Sequence, residues 1–347
     1  MIENIVEFGD CRDTMKKWKE QGVQVQTTIT SPPYYGLRDY GRDGQLGREE
    51  TPQQFIDNLV DVFECVRAIT REDGTCWVNL GDTYAHSGIG GNNNTLTPNK
   101  KVINHEIGVK LPANIKSKDL IGIPWMFAFA AREAGWYLRQ DVIWNKPSCM
   151  PESMTDRCTK SHEYIFLLAK SDDYYFDNEA IKCATLTKKS KQARPIPLED
   201  KKWIDTSKHK INNTPGVTPH GGFKHNDYDE KNHRSVWTIA TQPFSEAHFA
   251  PYPDEIVATC LAASTRRGDI VLDPFMGSGT TGSVAKLYGR KYLGCELNTD
   301  FRDIQNRRLN SKGANEMLIS DPDSVLYVHV DGNEQPEQKN GLESLLG

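Results

Sequence analysis

Residues Ile270 to Gly282, Ile-Val-Leu-Asp-Pro-Phe-Met-Gly-Ser-Gly-Thr-Thr-Gly, constrain this chain more than any other stretch. An apolar strand runs into Asp273, glycines follow at 277, 279 and 282, and the pattern predicts a helix from near Ser283. A second apolar run, Tyr292 to Cys295, then ends in Glu296, 19 residues after Gly277. Strand, tight glycine turn, helix, strand and acid is the layout that grips a nucleoside. The glycines admit a ligand close to the backbone, and the later acid takes ribose hydroxyls. Such a unit ordinarily opens its domain, yet here it begins around residue 268 of 347. The preceding chain is therefore expected to supply strands to the same sheet.

Two ligands compete for that loop. A dinucleotide calls for a strand leading straight into the first glycine, with a helix N-terminus facing the pyrophosphate. Here Asp273, Pro274 and Phe275 stand between strand and glycines, and a carboxylate aimed at the ligand suits a cationic amino group better than a phosphate. S-adenosyl-L-methionine carries such a group, lacks phosphate and offers ribose hydroxyls to Glu296. No lysine follows the loop, so a Walker phosphate cradle is excluded. The loop favours the methyl donor, with NAD and a plain tight turn as the competing readings.

The second decisive string is Ser31-Pro32-Pro33-Tyr34. Val23 to Ile29 reads as a β-branched strand that the double proline stops. Two prolines fix the backbone and remove two N–H donors, leaving carbonyls to accept hydrogen bonds. Acceptors beside an aromatic ring suit an exocyclic amine on a flat base. Ser31 Oγ and the Pro32 carbonyl take its two hydrogens, so that its lone pair turns to a methyl group, and Tyr34 stacks on the ring. Alone, a Pro-Pro after a strand also reads as an ordinary loop.

Together, the two strings resemble the amino-methyltransferases of DNA in their circularly permuted (beta) order, in which the catalytic loop precedes the donor loop. The match covers roughly residues 1–180 and 235–310. The resemblance implies a Rossmann-like methyltransferase fold: a twisted, mostly parallel α/β sheet with helices on both faces. It implies S-adenosyl-L-methionine as cofactor, held by Asp10, Phe249, Asp273, Pro274, Phe275, Gly277, Gly279, Thr280 and Glu296. It makes Ser31, Pro32, Pro33 and Tyr34 the catalytic loop and double-stranded DNA the substrate, with the target base extruded from the duplex. It also divides the chain into a catalytic half (1–180), an inserted target-recognition segment (181–240), a donor-binding half (241–312) and a tail (313–347). Serine at position 31 is associated in that family mainly with cytosine N4, and Asp or Asn with adenine N6, which is the alternative. Cytosine C5 chemistry needs a thiolate nucleophile from a Pro-Cys pair, and Cys149 lacks that context. A non-catalytic DNA-binding regulator and a dinucleotide oxidoreductase are the readings from other classes.

The net charge of −5 runs against a DNA partner until it is mapped along the chain. Residues 181–240 carry 12 Lys and Arg against six acids, and four of the nine His. Lys188, Lys189, Lys191 and Arg194 are the expected phosphate contacts, although a lysine-rich loop is also an ordinary solvated surface. A basic, Gly- and Asn-rich insertion, 86–118, is a second candidate DNA surface, and Val325 to Val330 a candidate edge strand. The eight cysteines form no C-x-x-C pair, so neither a metal site nor a disulfide framework is expected. With no apolar run near 18 residues and no leader pattern, a cytoplasmic protein without membrane contact is expected, as monomer or homodimer, with a cognate restriction endonuclease as a possible partner.

Overall fold

The structure, a computed structural model, describes residues 2–37, 41–85, 114–149, 151–184, 230–241 and 252–310. Its strands are β1 (Ile5–Phe8), β2 (Val25–Thr30), β3 (Thr70–Leu80), β4 (Tyr137–Asn145), β5 (His162–Ala169), β6 (Cys183–Ala184), β7 (Glu230–Lys231), β8 (Val236–Thr238), β9 (Ile270–Asp273) and β10 (Lys291–Glu296). The helices are α1 (Cys11–Glu20), α2 (Pro52–Ile69), α3 (Ile123–Glu133), α4 (Asp254–Ser264), α5 (Thr280–Leu287) and α6 (Arg302–Asn310). Two compact units emerge, residues 1–181 with 233–326 and residues 182–232 with 327–347. In the second, the described residues form the antiparallel pair β6–β7.

The first unit is built on an eight-stranded sheet in the order β1-β10-β9-β2-β3-β5-β4-β8. Neighbours run parallel except on either side of β5, which is antiparallel to both β3 and β4. All six residues of β2 are buried, as a central strand covered on both faces requires. Two of its polar side chains find partners inside the sheet: Thr27 and Thr75 hydroxyls pair at 2.9 Å, and Gln26 Nε2 donates to the Asp73 carbonyl at 3.2 Å.

Helices cover both faces, and alternation along the strands sorts the core in two. One cluster joins Met15 and Trp18 of α1, Phe55 and Phe63 of α2 and Phe127 of α3 to Val78, Leu272 and Leu293. The other joins Val257 and Leu261 of α4, Val284 of α5 and Leu309 of α6 to Trp77, Val271 and Tyr292. Helix α2 shows how local sequence sets these elements. Thr51 accepts from the Gln54 amide in a reciprocal capping box, Pro52 opens the first turn, and Phe55, Ile56, Leu59, Val62 and Phe63 form the buried stripe.

The helix after the glycine loop begins at Thr280, three residues before the start expected near Ser283. Gly279 sits at φ 88°, a left-handed conformation open to glycine, and turns the chain directly into α5. Gly282 thus lies inside the helix. There a Cβ would come within 2.8 Å of Leu309 and 3.1 Å of Tyr292, so its smallness serves close packing of helix on sheet. Lys188, Lys189, Lys191, Arg194, Phe249, the core of the 86–118 insertion and the tail from residue 311 lie outside the described residues. Among the described residues no helix is long and apolar enough to cross a membrane.

Candidate active site

The carboxyl ends of β1, β2, β3, β4, β9 and β10, with the start of the reversed β5, meet around one cavity of about 350 Å³. That volume suits a small organic ligand. At one end lie Asp10, Pro274, Phe275, Gly277, Thr280 and Glu296. At the other lie Ser31, Pro32, Pro33 and Tyr34. The structure thus brings ten of the expected site residues to one cavity.

Glu296 closes β10 and is 9% exposed. Its Oε2 accepts from the Gly277 amide and its Oε1 from the Asn298 amide, each at 2.7 Å. Each oxygen keeps acceptor capacity for a ligand hydroxyl. Burial pushes the carboxyl up to about 7, against the pull of those two amides. The glycine turn is shaped from below: Gly277 takes φ 52°, its carbonyl accepts from Gln305 at 2.7 Å, and Arg308 donates to the Ser278 and Thr280 hydroxyls.

Asp10 caps α1 and binds Arg12 through both carboxylate oxygens, with a shortest contact of 2.6 Å. The hydrogen bond to the Arg12 guanidinium holds its carboxyl below the usual range. Arg42 reaches from the segment after the Ser31-to-Tyr34 loop to Asn298 Oδ1 at 2.8 Å and Asp300 at 2.8 Å, so a strap spans the two ends of the cavity.

Asp273 departs from its expected place. Its carboxylate lies beneath the cavity rather than in the wall, 1% exposed. Oδ1 accepts from the Thr30 hydroxyl at 2.6 Å and the Phe275 amide at 3.0 Å; Oδ2 accepts from Thr281 at 2.6 Å and the Tyr252 hydroxyl at 3.2 Å. Four donors fill the carboxylate, so it joins β2, β9, α5 and Tyr252 instead of pointing at a ligand. Burial raises its carboxyl above the usual range despite those donors. Gly279 likewise shapes the turn without lining the cavity.

Tyr34 is held by a group the sequence left unread. Its hydroxyl donates to Glu163 Oε2 at 2.6 Å, and its ring packs on Gly81, where a Cβ would stand 2.6 Å from the ring. The same carboxylate receives Asn79 Nδ2 at 2.9 Å and pairs through Oε1 with Lys146, whose ammonium lies 4.3 Å from the Trp144 ring centre. Asn79, Trp144, Lys146 and Glu163 all line the cavity. The available signal was polar side chains at the ends of otherwise apolar strands: Lys146 follows β4 and Glu163 opens β5.

A methyl donor of the adenosyl type fits this wall. The buried Glu296 offers two acceptor oxygens of the kind a ribose diol binds, Phe275 and Phe301 supply apolar surface, and Arg12 and Arg42 are already paired with carboxylates, leaving the wall unsuited to a pyrophosphate. Residues 25–307 match the DNA methylase family of N6/N4 methyltransferases. The chain belongs to that family. This DNA methylase is 42% identical over 298 residues to the type II methyltransferase M.Cfr9I of Citrobacter freundii, covering 85% of each chain. It is 39% identical over 304 residues to M.SmaI of Serratia marcescens, covering 87% of this chain and 89% of the relative. Among solved structures, the cytosine-N4-specific PvuII DNA methyltransferase superposes with a TM-score of 0.54 at 15% identity, covering 89% and 94% of the two chains. A Thermus thermophilus protein solved with S-adenosyl-L-methionine gives 0.51 at 21% identity, covering 87% and 91%. The methylase shares the mixed α/β fold of both.

Proposed function

We propose that this methylase transfers a methyl group to the exocyclic N4 of cytosine in double-stranded DNA. The observation that carries the reading is one cavity with the Glu296 wall at one end and the Ser31-to-Tyr34 loop at the other. S-adenosyl-L-methionine is the methyl donor; bound there, it supplies a sulfonium methyl that passes to the amine in a direct displacement. The chain's own residues bind and orient. Glu296 takes the ribose hydroxyls, and Pro274, Phe275 and Gly277 form the surface against which the donor lies. At the other end, Ser31 Oγ and the Pro32 carbonyl accept the amine hydrogens, turning the lone pair to the methyl group while Tyr34 holds the base. Positioning accounts for much of the acceleration in a displacement of this kind. Ser31 supports cytosine N4; adenine N6, with the same two hydrogens, is the second reading.

The order of catalytic loop before donor loop supports a circularly permuted chain. The positive balance of residues 181–240 supports target recognition there. Neutralising Lys188, Lys189 and Lys191 is expected to lower the log–log salt slope of DNA binding by up to about 0.9 per lost phosphate contact. The type II names of the curated relatives support a place beside a cognate restriction endonuclease.

Nucleoside mass spectrometry of DNA treated with the protein and a methyl-labelled donor tests the reading. Labelled N4-methylcytosine is the expected product, and labelled N6-methyladenine in its place overturns the cytosine assignment.

A further inference from the structure

Behind the Tyr34 ring, a buried amide holds the carboxylate that carries Lys146. Asn79 is 3% exposed, and its Oδ1 accepts no hydrogen bond. The orientation of its amide follows from its surroundings: Nδ2 faces two acceptors, Glu163 Oε2 at 2.9 Å and the Tyr164 carbonyl at 3.3 Å, so the opposite atom must be the oxygen. Beside it, Lys146 lines the same cavity with its side chain 20% exposed. One ammonium hydrogen faces Glu163 and the Trp144 ring lies on another side, which leaves donor capacity for a ligand. A fixed donor thus stands next to the loop that takes the amine.

Resting on the proposed cytosine reading, we propose that Lys146 recognises the Watson–Crick edge of the extruded base, with Glu163 and Asn79 as its positioning residues. The Lys146 ammonium donates to the ring acceptors N3 and O2, while the two N4 hydrogens go to Ser31 Oγ and the Pro32 carbonyl. Cytosine presents donor, acceptor, acceptor along that edge. Adenine presents donor, acceptor, C–H, and gives a cation less to bind. The ion pair serves the chemistry too. Positive charge grows on the amine nitrogen as the methyl group arrives, and a bare ammonium nearby would oppose it. Glu163 neutralises that ammonium while holding the Tyr34 hydroxyl, so one carboxylate sets both the ring and the donor.

Single-turnover methylation of duplex DNA by the full chain, with donor affinity measured alongside by calorimetry, tests the assignment. Lys146→Met is expected to slow methylation on the order of 10- to 100-fold, the range for a lost hydrogen bond involving a charged group, with donor affinity within about twofold. Glu163→Gln, which keeps an acceptor for Tyr34 but removes the charge, is expected to slow it more, and adding Lys146→Met to it to slow it no further. A duplex carrying at the target position a 2-aminopyridine C-nucleoside, which keeps the amine and the adjacent ring nitrogen but lacks the 2-oxo group, is expected to lose the same order with the unaltered protein, a readout independent of any variant's folding. Methylation by Lys146→Met within twofold of the parent, or full activity on the 2-oxo-less duplex, with N4-methylcytosine as the parent's product, overturns this contact alone. N6-methyladenine from the parent overturns the cytosine reading and this contact together.

Discussion

The two ends of the cavity are built in different ways. At the Glu296 end the wall is largely backbone and strand-end residues from β9 and β10, neighbours in the sheet joined by one short helix. At the Tyr34 end the wall is side chains: Asn79, Lys146 and Glu163 arrive from three strands, and Tyr34 and Glu163 are 129 residues apart. The first end gains its shape from glycine dihedrals and two amides pinned to one carboxylate. The second gains it from a charge-assisted network around a single carboxylate. A wall of the first kind tolerates changes to surrounding side chains and depends on a few special backbone positions, whereas a wall of the second kind fails when one member is lost.

Asp273 offers the largest effect with which to break that contrast. If it serves the fold, Asp273→Ala leaves the Thr30, Thr281 and Tyr252 hydroxyls and the Phe275 amide without their acceptor and lowers stability by at least about 3 kcal/mol, read as a lower urea midpoint. Unchanged stability with a tenfold loss of donor affinity would return Asp273 to the ligand wall.

Gly81→Ala sharpens the other side. The new Cβ would stand 2.6 Å from a Tyr34 ring already tied at its hydroxyl, an overpacking that costs about 1–3 kcal/mol. Turnover is expected to fall about tenfold or more while donor affinity holds. Equal losses in both would show that the ends are coupled.

The acid at the Glu296 end predicts a smaller, pH-dependent effect. Its carboxyl is raised from 4.5 to about 7 by burial, so in the ligand-free protein its favourable contribution is complete below pH 4.5 and lost as pH rises through about 7. Donor binding draws on the ionised form and runs the other way. Affinity is expected to strengthen with pH up to about 7 and, below it, to weaken by up to tenfold per unit. A flat profile from pH 5 to 8 would remove Glu296 from the ribose.

The same contrast explains what could be read from the chain alone. The Glu296 end is written in contiguous letters: strand, Asp-Pro-Phe, three glycines and an acid 19 residues after the first of them. Even so, pattern could not say which way a buried carboxylate points, and Asp273 and Glu296 look alike until Thr30 and Tyr252 are seen to occupy one of them. The Ser31-to-Tyr34 loop was legible as a strand end because two prolines are rare punctuation. Asn79, Lys146 and Glu163 were not, because a strand read for its apolar residues hides the polar one at its end, and their meeting is a fact of strand order. Nothing in the sequence predicts that β5 reverses between β3 and β4, and that reversal places Glu163 beside the ends of both.

Calorimetric titration of S-adenosyl-L-methionine against two single variants tests the central claim that one cavity holds two separable halves. Glu296→Gln is expected to weaken donor binding by about tenfold or more, the scale of a hydrogen bond to a charged group. Tyr34→Phe, which removes only the hydroxyl held by Glu163, is expected to leave donor affinity within about twofold while methylation slows. Donor affinity that falls in Tyr34→Phe as far as in Glu296→Gln would contradict the account.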